Sequence, residues 1–174
     1  VKQPLRQMGL TAAQVLLGGI RVGRTNASMT VKNGSVALEV NDARLYGGSL
    51  EAKIGARMDG DALSGKAQVT LAGVPAELAL SDLANVSSLS GSTNAAFDLA
   101  ARGRIWGEFV HDIGGIGQIE IGAGSLHGFD AKALAAHFAD PLAEPVAAGP
   151  GATAFTSLTA GLVIGDGTLH TDNL

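Results

Sequence analysis

A chain of 174 residues, 46% of them apolar, is long enough to form one domain with a core and too apolar to be disordered throughout. The formal charge of −4 is uneven, +4 over residues 1–66 and −8 over residues 67–174, but no dense basic patch and no basic stretch interleaved with aromatics is present, which argues against nucleic acid as a partner. The absence of cysteine excludes a disulfide framework and a thiolate metal site, and no run approaches the roughly 20 apolar residues of a spanning helix.

Leu5 to Leu17 alternates weakly and ends at Gly18-Gly19, and Ile20 to Val31 reads as a second extended stretch. Asn33-Gly34 is a hairpin signal, because both residues tolerate positive φ. Ser35 to Leu45 returns with Val36, Leu38 and Val40 on one side, and Tyr46-Gly47-Gly48 turns the chain again. From Ser49 to Met58 the alternation is unbroken. Leu50, Ala52, Ile54, Ala56 and Met58 fall on one face, and Ser49, Glu51, Lys53 and Arg57 on the other. Asp59-Gly60-Asp61 makes the next turn, and Lys66 to Leu71 alternates with Ala67, Val69 and Leu71 inward. Strands joined by such short turns form an antiparallel meander.

At Pro75 the period changes. Ala76, Ala79, Leu80 and Leu83 share one helical face. Ser88 to Arg102 is extended, with Leu89, Ala95, Phe97 and Leu99 on one side. Arg104 to Ile113 is predicted as a short helix stopped by Gly114-Gly115, and Ile116 to Leu126 as a strand. Asp130 then reads as the cap of a third helix, with Phe129 and Leu134 stapled across it and Pro141 ending it. Residues 141–153 hold three of the five prolines and are expected to be a flexible loop. Ala154 to Ile164 and Thr168 to Asn173 complete a hairpin around Asp166-Gly167. The expected fold is mainly β, a single domain over residues 1–174. It is an elongated, curved antiparallel sheet with about three short amphipathic helices in its C-terminal half.

Reactive constellations are sparse. Glu108 and His111 have the E-x-x-H spacing of carboxylate-bridged metal bundles, but the further carboxylates and the bundle itself are missing, so the pair reads as helix polarity. No Gly-x-Ser-x-Gly elbow nominates a nucleophile. Gly122-x-Gly124 is followed by His127 and Gly115-x-Gly117 by Glu120 where a dinucleotide fingerprint needs glycine. The reading is therefore of a protein that is not an enzyme and needs no cofactor. What remains is the apolar sheet face, open to two readings: an ordinary core, or a surface for lipid.

Several stretches occur in a telling order. They are Asn33-Gly34-Ser35, then Ala43-Arg44-Leu45-Tyr46-Gly47-Gly48-Ser49-Leu50, then Leu71-Ala72-Gly73-Val74 entering a helix. After these come Leu89-Ser90-Gly91 with Asn94, Gly115-Ile116-Gly117 leading to Gly124-Ser125-Leu126-His127-Gly128-Phe129-Asp130, and Thr153-Ala154-Phe155 with Gly165-Asp166-Gly167. Over nearly its whole length the chain resembles the C-terminal region of the AsmA family of Gram-negative envelope proteins.

The resemblance implies a periplasmic segment of a longer chain, held in the inner membrane by an N-terminal helix that this sequence lacks. It further implies a greasy sheet that carries phospholipid between inner and outer membranes, with no catalytic motif to transfer. Val36, Leu38, Val40, Leu50, Ile54, Met58, Val69, Leu71, Phe97 and Leu99 are the candidate lining, and Leu80, Leu83, Trp106, Phe109, Leu134 and Phe138 the candidate helical cover. The expected partner is a phospholipid or other envelope lipid, with other envelope proteins as further partners. The alternative is a scaffold for envelope assembly, including that of outer-membrane proteins, whose apolar face is plain core.

Overall fold

A computed structural model describes residues 6–17, 20–85, 87–128, 151–165 and 168–173. Its centre is one antiparallel sheet. Nine strands follow one another in space: β1 (Arg6–Ala12), β3 (Ile20–Lys32), β4 (Ser35–Leu45), β5 (Gly48–Asp59), β6 (Ala62–Pro75), β7 (Ser92–Gly103), β8 (Gly114–Ile121), β11 (Leu158–Gly165) and β12 (Thr168–Asn173). The short β2 (Val15–Leu17) also pairs with β3. A separate small ribbon joins β9 (Gly124–His127) to β10 (Ala152–Phe155). Long strands and two-residue turns go together here. Asn33 and Gly34 have φ of 50° and 75°, and Tyr46 and Gly47 have 51° and 91°, the left-handed pairs that match the twist of flanking strands.

Two helices are present among the described residues, against about three expected. The first is α1 (Ala76–Ala84), which lies at mid-chain rather than in the C-terminal half, and the second is α2 (Trp106–His111), shorter than predicted. The third expected helix, with Asp130 and its staple, falls outside the described residues, as do residues 141–150 of the expected loop. Thr153 belongs to β10. The strand expected over Ile116–Leu126 is broken at Gly122-Ala123, because β8 pairs with β11 whereas β9 pairs with β10. The strand expected over Ala154–Ile164 breaks at Thr156-Ser157 for the same reason.

One cluster of buried side chains lies at one end of the sheet, and Ala52, Ala95, Ile121 and Leu162 are buried outside it. Val22, Ala43, Leu45 and Val74 form the cluster, and Val15, Val40, Tyr46, Leu50, Leu71 and Ala79 of α1 pack against it. It exists because three strands each carry an extra residue at this level. The register slips between Val22 and Thr25 on β3, between Val40 and Ala43 on β4, and between Leu71 and Val74 on β6. Each bulge bends its strand and returns an apolar side chain to the same face. Without it, the alternation from Val40 would turn Asp42 and Arg44 inward. On β6 the bulge places Gly73 at φ 66°, and its N–H is satisfied by Asn94 Oδ1 at 3.1 Å.

Candidate functional site

Register carries the apolar face across the whole sheet. One row runs Leu10, Ala27, Val40, Ala52, Val69, Phe97, Gly117, Leu162, each residue opposite the next. A second runs Met8, Met29, Leu38, Ile54, Ala67, Leu99, Gly115, Ile164. At the usual spacing between strands, nine strands make a face about 38 Å across. All ten candidate lining residues lie on it: Val36 pairs with Ala56, Leu50 with Leu71, and Met58 with Leu63. They are not equivalent. Val40, Leu50 and Leu71 abut the buried cluster, while Val36, Ile54 and Met58 are 39%, 42% and 60% exposed. Leu38, Val69, Phe97 and Leu99 are half-buried.

Two glycines of this face, Gly117 and Gly65, lie under aromatic rings. A Cβ at Gly117 would stand 2.6 Å from the Phe97 ring, so the ring lies over the glycine and smooths the row. Phe109 of α2 covers Gly65 in the same manner, and the α2 backbone rests on Gly103. α1 and α2 thus sit at opposite ends of the face, separated along β6 by roughly 30 Å of strand. Between Phe109, Ile113 and the sheet lies a carbon-walled cleft of about 160 Å³. Of the other expected covering residues, Leu80 is half-buried. The side chains of Leu83 and Trp106, and residues Leu134 and Phe138, fall outside what is described.

Glu108 in the first turn of α2 reaches back to Arg104, ahead of the helix. Glu108 Oε2 accepts a hydrogen bond from the Arg104 N–H at 2.9 Å. That bond, with the Arg104 guanidinium beside it, holds the Glu108 carboxyl below its ordinary value. At the other end, Tyr46 donates to Asp82 of α1, and this bond, with some burial and the carboxylate charge, pushes the phenol up to about 12.

The opposite face is polar. Glu39, Lys53, Gln68 and Asp98 follow one another across it, and Gln68 Nε2 donates to Asp98 Oδ2 at 3.2 Å. Arg102 pairs with Asp59 at 3.4 Å, both well exposed. Two open depressions of about 740 and 760 Å³ lie over this face, where Ala37, Gly55, Ala96 and Ala100 stand short among long polar neighbours. Their mixed lining of charged and small residues suits water. Ile116 and Val163, paired across β8 and β11, are the apolar exceptions on this side.

Ser90 Oγ lies 2.9 Å from Ser125 Oγ, which lies 3.0 Å from His127 Nε2, and the Ser90–Ser125 bond stands beside the Leu89–Leu126 bridge to β9. Among the described residues no three His, Asp or Glu side chains gather as a metal site would require. No described helix is long and apolar enough to cross a membrane.

Comparison with curated proteins and with solved structures finds no match. The sequence profile of the AsmA family matches residues 3–174, essentially the whole chain, and two of the stretches that carry the resemblance, Asn33-Gly34 and Tyr46-Gly47, are the turns seen here between β3 and β4 and between β4 and β5. The chain belongs to the AsmA family.

Proposed function

We propose that this chain is a non-catalytic segment of a lipid conduit, whose apolar face shields phospholipid acyl chains in transit between the inner and outer membranes. The observation that carries the reading is the middle of the sheet. There, Ile54 remains 42% exposed within an apolar row that runs from β1 to β11, with α1 and α2 seated on the face towards either end of the strands. Family membership, in a family of envelope proteins, points the same way. On this reading the segment works in the periplasm, and a membrane anchor upstream of Val1 holds it at the inner membrane.

The physical case is one of many weak contacts. Each buried methylene contributes about 0.8 kcal/mol wherever it lies along the face, so an acyl chain gains by entering at any strand. Fixed polar partners would oppose sliding, and the rows contain none between Leu38 and Leu99. The test is mass spectrometry of the protein purified without detergent from cells with a double membrane. Co-purifying phospholipid is the expected result, and repeated recovery free of lipid overturns the reading.

A scaffold function is the second reading, and the outer strands favour it. β1 and β12 each pair on one side only among the described strands, and Met8 and Leu10 on β1 are exposed, which suits strand addition by another envelope protein.

A further inference from the structure

The geometry points to the cleft beneath α2 as the seat of an acyl chain's methyl end, with Phe109 as the stop. This rests on the lipid reading above and makes it specific. The cleft is bounded by Ile54, Ala67, Leu99 and Ala101 on the sheet and by Phe109 and Ile113 above it. Ile54, Ala67 and Leu99 also belong to the second apolar row, so the cleft opens directly from the face along which a chain would lie.

Its size and chemistry select the occupant. A dry cavity of about 150 Å³ with aliphatic and aromatic walls holds a benzene, so this cleft of about 160 Å³ has room for about six carbons. Its walls present carbon only. A glycerol or phosphate group placed there would lose its hydration without gaining hydrogen bonds, so the headgroup must point away from α2. The blocked end is built by close contact. The Phe109 ring occupies the space over Gly65, and the helix backbone sits against Gly103, so both stand in the way of a chain continuing along β6 and β7. Alanines at positions 56, 67 and 101 keep the floor low enough for a chain to slip under.

Trp106 opens α2 and is the only tryptophan in the chain, which supplies the readout. The protein is titrated with phosphatidylcholine brominated near the methyl end of its acyl chain, and separately with the isomer brominated near the carboxyl end. Binding of each is checked by co-elution. Greater loss of tryptophan fluorescence with the methyl-end bromines is expected. Equal quenching by the two isomers, or greater quenching by the carboxyl-end isomer, overturns the inference while leaving the lipid reading intact. Failure of both isomers to co-elute overturns the lipid reading and this inference with it. In Ala101→Leu, which fills the cleft, the positional preference should disappear while lipid is still retained; an unchanged preference overturns the assignment.

Discussion

Tyr46 donates a hydrogen bond to Asp82 Oδ2 at 2.5 Å, joining the turn between β4 and β5 to helix α1. The ring packs against the buried cluster while its backbone holds a left-handed φ of 51°, unusual for a bulky residue. One side chain therefore ties the β4–β5 turn to helix α1 beside the buried cluster.

Removing that hydroxyl should loosen this end of the sheet without collapsing it. Tyr46→Phe keeps the ring and leaves Asp82 free to hydrate, so about 1 kcal/mol of stability should be lost, read as a lower urea midpoint. The titration has a definite sign. The folded phenol stands at about 12 and an unfolded tyrosine near 10, so the protonated form is favoured by folding. The bond's contribution is complete below about pH 10 and fades as pH rises through about 12. Tyr46 is the only tyrosine, so phenolate absorbance reports it alone. Asp82→Asn should move that absorbance change to lower pH.

Two glycines under α2 should differ in what they tolerate. A Cβ at Gly103 would land on the Phe109 backbone nitrogen and near the Glu108 carbonyl carbon, so Gly103→Ala must displace the helix. A Cβ at Gly65 meets the far end of the Phe109 ring at 2.7 Å, which can swing aside. Gly103→Ala should cost about 2–3 kcal/mol in denaturant melts, and Gly65→Ala about 1 kcal/mol. Equal costs would show that α2 is not seated as described.

These contacts mark where sequence reading stopped. The β4 boundaries Ser35 and Leu45 were legible, because period-two alternation and an Asn-Gly turn are local signals. So was the family, through the order of its glycine turns. All ten candidate residues could be placed on one face for the same reason: within a strand, parity is local. The buried cluster was not found, although the spacing Val40, Ala43, Leu45 is the mark of a bulge and could have revealed it. The break at Gly122-Ala123 was hidden because it depends on which distant strand each half pairs with. Phe109 over Gly65 joins residues that no local pattern connects.

Surface charge on the polar face should matter little. Arg102 and Asp59 lie 3.4 Å apart with side chains 61% and 50% exposed. Pairs of this kind contribute at most about 1 kcal/mol and are screened by salt. Asp59→Asn should shift the melting midpoint only within experimental scatter in physiological buffer, and lipid retention should be unchanged.

The decisive contrast is between two apolar positions on the same face. Val74 is 1% exposed inside the cluster beneath α1, and Ile54 is 42% exposed in the open middle. A carboxylate at Val74 would be stripped of water with no partner, so Val74→Asp should cost more than about 3 kcal/mol and leave much of the protein unfolded. A carboxylate at Ile54 can reach solvent, so Ile54→Glu should change stability by less than about 1 kcal/mol. It also plants a charge where acyl chains would run, and desolvating that charge opposes their entry. Circular dichroism and lipid mass spectrometry on the two variants separate the readings. A conduit predicts Ile54→Glu folded but poor in lipid, whereas a plain core predicts that it melts like Val74→Asp.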